Sequence, residues 1–110
     1  MNVRLTTDLW VSAYLTRLRL VEIPVFVTRK GDATAGSVYV KLNTLDGQAK
    51  AFHRQFDLMS DQREWAVLAE GDEADVDASL SKQASFDSDI WVLEVEDRDG
   101  RHLLDDPSLA

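Results

Sequence analysis

Apolar side chains recur every three to four residues up to Glu22, and after Pro24 the repeat changes to two. The stretch "TTDLWVSAYLTRLRLVE" therefore predicts a helix. Thr6 or Thr7 stands where an N-cap is needed, and Asp8 falls in the first turn, where the helix dipole favours an anion. On a helical wheel Trp10, Val11, Tyr14, Leu15, Leu18 and Val21 share a broad side that Ala13 and Leu20 extend. Ser12, Thr16 and Arg19 mark the wet side. An arc this wide suits two partners at once, the sheet and another subunit. Arg17 falls inside it, so its stem lies along apolar surface with the head in water, or its guanidinium pairs with a carboxylate or grips an anion.

Beyond Pro24, "PVFVTRK" predicts a strand, "GDATAG" a turn and "SVYVKLN" the returning strand. Val38, Val40 and Leu42 take one face, with Ser37, Tyr39 and Lys41 on the other. "TLDGQ" holds the Asp-Gly pair that suits a hairpin turn, and "AKAFHRQF" predicts a third strand. "DLMSDQRE" reads as loop or a short helical turn, and "WAVLA" as a fourth strand stopped by Glu70-Gly71. "DEADVDASLSKQA" predicts a second helix, capped by Asp72 and with Glu73 and Asp75 in its first turn.

"DIWVLEVE" is the last full strand. Trp91, Leu93 and Val95 face the core, while Ile90, Val92, Glu94 and Glu96 take the less buried side. "DRDG" turns it toward "RHLL", a candidate short final strand. The order αββββαβ, with hairpin-length connections, predicts an α+β fold: an antiparallel sheet of four to five strands with two helices packed against it. Residues 1–104 are expected to form a single domain and residues 105–110 a frayed tail.

Composition narrows the function classes. A chain of 110 residues that is 45% hydrophobic and 29% charged has the balance of one globular domain. It has no cysteine, which excludes disulfides, thiolate nucleophiles and cysteine-ligated zinc and fits a cytoplasmic location. No run approaches the roughly 18 apolar residues of a membrane span, and "MNVRLTTDLW" lacks the apolar stretch of a signal peptide.

The net charge of -8 is unevenly placed. Residues 1–55 carry eight Lys/Arg against four Asp/Glu, and residues 56–110 carry four against sixteen. The acidic total argues against nucleic-acid binding, which rests on neutralising phosphates. The acidic half suits a solvated face, and a basic partner whose binding weakens with salt is a lesser reading.

Candidate chemistry is sparse. His53 and His102 have no ligand-spaced companion, and no Gly-rich phosphate loop, nucleophile elbow or paired-histidine metalloprotease motif is present. No catalytic residue, metal site or cofactor is therefore assigned. Six residues remain as a candidate binding set. Tyr39 and Lys41 share the polar sheet face, and Arg29 ends the neighbouring strand. Glu94 and Glu96 stand two apart on the last strand, a spacing that can hold Mg²⁺, and Arg17 lies on the first helix.

Three segments resemble a known family: "RLTTDLWVSAYLTR", "GDATAGSVYVKLNTLDG" and "EADVDASLSKQASFDSDIWVLEVEDRDGRHLLD". In order and spacing they are similar to small bacterial proteins of the domain of unknown function 1491 family, with the "FDSDIWVLEVEDRDG" signature the most specific of the three. The resemblance implies a stand-alone bacterial domain with no assigned activity, cofactor or catalytic residue. The leading expectation is a non-enzymatic cytoplasmic accessory or interaction protein that self-associates, through the first helix or a sheet edge, or binds a protein partner. The alternative is a small-anion or nucleotide-related binder, or a divalent-metal-dependent enzyme, working on the polar sheet face.

Overall fold

The computed structural model describes residues 5–57 and 62–109. In chain order the elements are α1 (Thr7–Leu20), β1 (Val25–Arg29), β2 (Val38–Asn43), β3 (Gln48–Asp57), β4 (Gln62–Asp72), α2 (Glu73–Phe86), β5 (Trp91–Glu96) and a closing 3-10 turn (Pro107–Leu109). The strands form one sheet in the spatial order β1-β5-β2-β3-β4.

The expected α+β class is present, but the sheet is mixed rather than antiparallel. β5 enters between β1 and β2, antiparallel to β1 and parallel to β2. A parallel pair needs a crossover connection, and the path through β3, β4 and α2 supplies one. The central place suits the sequence of β5. Ile90, Trp91, Val92, Leu93 and Val95 are all buried, so both faces of this strand meet apolar side chains.

The helices lie on opposite faces. Trp10, Val11, Tyr14 and Leu18 of α1 pack with Val38, Val40, Leu42, Trp91, Leu93 and Val95. Val76 and Leu80 of α2 pack with Ala49, Ala51, Ile90 and Val92, and Tyr39 joins them from the edge of that cluster. Both sides of the sheet are thus covered over β2 and β5.

Local corrections follow from how backbone polar groups are satisfied. Thr6 is the N-cap of α1, but its hydroxyl donates to Asp8 Oδ1, and the first helical N–H groups of Thr7 and Asp8 donate to Thr34 and Ala33 carbonyls. Asp72 occupies the N-cap of α2, yet its carboxylate accepts from Gln48 Nε2, and the Glu73 N–H donates to Gly47 O. β4 is not stopped at Glu70-Gly71; it runs through Gly71 to Asp72 and passes directly into α2. β3 extends to Asp57 and β4 starts at Gln62, so the loop expected over residues 57–64 shrinks, and its centre lies outside the described residues.

The final segment departs most from expectation. Residues 101–104 join no ladder. Residues 105–109, expected to fray, fold back against α1: Leu109 is 4% exposed and its carbonyl accepts from Trp10 Nε1 at 2.9 Å.

Candidate functional site

The six sequence-selected residues fall into three separate places. Lys41 and Glu94 meet beneath α2. The register puts Lys41 beside Glu94 on the parallel neighbour, with both side chains on the α2 face. α2 lowers Glu73 and Asp77, one turn apart, onto the same spot. The Lys41 ammonium is 2.7 Å from Glu73 Oε2, 2.7 Å from Asp77 Oδ1 and 3.3 Å from Glu94 Oε1. Asn43 Nδ2 donates to Glu73 at 2.9 Å and Glu94 at 3.3 Å.

Lys41 is only 4% exposed. Burial alone would lower its pKa, but hydrogen bonds to Asp77 and Glu73 and the charge of Glu94 outweigh it, so the ammonium is held above the ordinary lysine value. A lysine so paired is a cation locked in place. It is neither a nucleophile nor a free anion site, since its donors are already taken. The face read from the sequence as an open polar surface is therefore roofed by α2, with an ionic cluster sealing helix to sheet.

Tyr39 lies half-buried on the same face, its hydroxyl 3.4 Å from Gln83 Oε1 and its ring stacked on His53 at 5.9 Å. Glu96 ends β5, opposite Asn43. Arg29 closes β1 and donates to the Ser88 carbonyl. Arg17 belongs to α1, on the other side of the sheet from Lys41. Its Nη2 donates to Asp106 Oδ2 at 2.7 Å and to Ser108 Oγ at 2.6 Å. The carboxylate reading of Arg17 thus describes its contacts, and the six residues do not converge on one ligand.

Asp106 shows how strongly Arg17 grips. The guanidinium, with the backbone N–H and hydroxyl of Ser108, holds this carboxyl down at about 2. The folded value lies below the ordinary one near 4, so the contribution of this pair is complete above about pH 4 and drains as pH falls through 2. In the Arg17→Leu variant the carboxyl titration of Asp106, followed by NMR, is expected to move up toward 4. A midpoint that stays put would show that Ser108 alone sets it.

Two features were not selected from the sequence. Arg54, on β3, lies 5.2 Å from the Trp10 ring and 5.4 Å from the Trp65 ring, and donates to the Leu109 carbonyl. These residues are too far apart in sequence for any motif to join them. The other feature is the outer edge of β1, where Phe26 is 51% and Val27 42% exposed. Leu20 and Val21, just before it in the chain, are exposed as well. The sequence did carry a signal here: a short strand led in by proline is the pattern of an edge.

Fold and geometry define a two-helix α+β protein built on a mixed five-stranded sheet, with its central charges paired internally. The chain belongs to the DUF1491 family: the model described as "Protein of unknown function (DUF1491)" matches residues 5–105. It is similar to a DUF1491 family protein from Caulobacter crescentus CB15 whose crystal structure aligns with a TM-score of 0.82 at 41% identity, over 96% of this chain and 97% of that one. An NMR structure of a DUF1491 family protein from the same organism gives 0.80 at 41% identity over 92% and 93%. A solution structure of a protein from A. tumefaciens gives 0.73 at 26% identity over 86% of each. Among curated proteins none matches. No helix among the described residues is long and apolar enough to cross a membrane.

Proposed function

We propose that this chain is a non-enzymatic cytoplasmic accessory protein that self-associates edge to edge through β1. The observation that carries this reading is the exposure of Phe26 and Val27 on a strand with no neighbour on its outer side among the described residues.

The hydrogen-bond parity of β1 supports it. Glu96 N–H donates to the Pro24 carbonyl, and Phe26 stands opposite Glu94, so the backbone groups of Pro24 and Phe26 turn toward β5. Those of Val25 and Val27 turn outward. The N–H that proline lacks is on the inner side, so Pro24 leaves the outer edge intact.

Two copies related by a two-fold axis through Phe26 would set Val25 of one opposite Val27 of the other, each pair exchanging two hydrogen bonds. The same register faces the two Phe26 rings across a closely spaced pair and sets Glu22 against Lys30. The irregularity between Val27 and Arg29 limits the ladder to a few residues, so the dimer is a weak one.

Sedimentation velocity at rising concentration is expected to show a monomer–dimer equilibrium that Phe26→Lys abolishes. Because Phe26 is exposed, that variant should keep its stability within about 0.5 kcal/mol. A wild type that stays monomeric to millimolar concentration would overturn the proposal.

A further inference from the structure

The last described residues behave as a bound peptide rather than as a chain end. Asp106, Ser108 and Leu109 are each held by groups from elsewhere in the fold. The Asp106 carboxylate and Ser108 hydroxyl are held by Arg17, the Leu109 side chain is buried in the α1-side core, and the Leu109 carbonyl accepts from both Trp10 Nε1 and Arg54 Nη2. The segment is pre-shaped for this. Asp106 Oδ1 accepts from the Ser108 N–H and hydroxyl, and the Leu109 N–H donates to the Asp106 carbonyl, closing a 3-10 turn.

The wall that receives it is assembled from three elements: Trp10 and Arg17 on α1, Arg54 on β3 and Trp65 on β4. Trp10 and Trp65 stand 5.4 Å apart with the Arg54 guanidinium close to both rings. An aromatic pair, two guanidinium groups and an apolar socket make a surface suited to an acidic-apolar peptide.

Two observations mark the tail as a replaceable occupant. The chain leaves β5 and reaches the groove through Leu103, whose φ of +60° is a left-handed conformation that costs an L residue energy. Trp65 keeps a buried indole N–H without an acceptor among the described residues, so the tail leaves one donor of the aromatic pair unanswered.

We infer that the groove between α1 and the β3–β4 side of the sheet is a peptide-recognition site for segments of the pattern Asp-x-Ser-Leu. The chain's own residues 106–109 occupy it in cis, and a partner protein displaying the same chemistry competes for it in trans. The carboxylate selects through Arg17, and leucine anchors in the core. The site shares nothing with the β1 edge, and the two proposals stand or fall separately.

The test uses the full chain and a fluorescent, end-blocked Leu-Asp-Asp-Pro-Ser-Leu peptide. A tail-release variant, Asp106→Ala with Leu109→Ser, alters only the cis occupant. It is expected to bind the probe at least about tenfold more tightly than wild type, since the groove is no longer filled internally. Adding Arg17→Leu to that variant should remove most of the gain, and a probe with Asn at its second Asp should bind no better than background.

Equal and negligible binding by a folded tail-release variant would overturn the inference. If that variant does not fold, NMR of wild type decides instead. Excess probe is expected to shift the Trp10 and Trp65 indole resonances, and unmoved indoles at saturating probe would overturn it. A wild-type dimer that survives Phe26→Lys but vanishes on tail release would also overturn cis occupancy, assigning the groove to the tail of a second copy.

Discussion

Lys41→Met is expected to lower stability by about 2–3 kcal/mol, read as an earlier midpoint in urea unfolding. Removing the ammonium leaves Glu73, Asp77 and Glu94 converging with no cation between them. Losing one member of a fully buried pair costs about 3–5 kcal/mol, and the cost is smaller here because Glu73 and Asp77 are open to water. The repulsion left among those three carboxylates is part of the variant's loss. Glu73→Gln in the same background should restore part of it at neutral pH.

Wild type has its own alkaline limit. The folded pKa of Lys41 lies above the unfolded value near 10.4, so the stability it contributes is intact below about pH 10 and falls as pH rises beyond. A Lys41→Met variant indistinguishable from wild type at pH 7 would show that the cluster is a solvated ornament.

That cluster also shows where sequence reasoning stopped. Alternation placed Tyr39 and Lys41 together on one face, and placed Glu94 and Glu96 together on another strand's polar side; both groupings hold. Periodicity within a strand fixes which way a side chain points, but not what lies above it. The roof comes from α2, and the register between an α2 turn and β2 is a tertiary fact. Glu73, one of the two residues that complete the cluster, already has a sufficient local reason as an acid in the first turn of α2.

The order of elements was legible because local patterns suffice for it: period 3.6 in α1, period 2 after Pro24, and turns at "GDATAG" and "TLDGQ". Strand neighbours were harder. Hairpin-length links favour antiparallel neighbours, and β2, β3 and β4 obey that rule. β1 does not: despite the short link to β2, β5 enters between them, and the sign was the unbroken apolar run from Ile90 to Leu93, the mark of a strand covered on both faces. The tail shows the opposite failure. "DDPSLA" has the composition of a loose end, and its order comes from Arg17, Trp10 and Arg54, residues more than fifty positions away.

The "GDATAG" turn carries a second demand, which yields the other large effect. Asp32 N–H donates to the Asp89 carbonyl, and the Trp91 indole donates to the Asp32 carbonyl, so the turn lies flat against the start of β5. The Thr34 and Ala33 carbonyls on its other side receive the first N–H groups of α1. A Cβ added at Gly31 would fall 2.1 Å from the Asp89 carbonyl oxygen and 2.5 Å from the Ile90 carbonyl carbon. These are backbone atoms of the segment that leads into β5, and they cannot swing aside as a side chain would.

Gly31→Ala is therefore expected to cost about 3 kcal/mol or more, at or beyond the upper end for overpacking, and to expose the Trp91 indole N–H to rapid hydrogen exchange. Gly100→Ala is the matched control. Its φ of +76° strains an alanine, but nothing lies within 4 Å of the added methyl, so about 1 kcal/mol is expected and Trp91 should stay protected. Equal losses at the two positions would mean that the close approach to Asp89 and Ile90 is not what the turn requires, since the φ of Gly31 is not left-handed. A loss confined to Gly31 would establish the close approach to β5 as the reason a glycine stands there, and would make this turn the joint that sets α1 against the sheet.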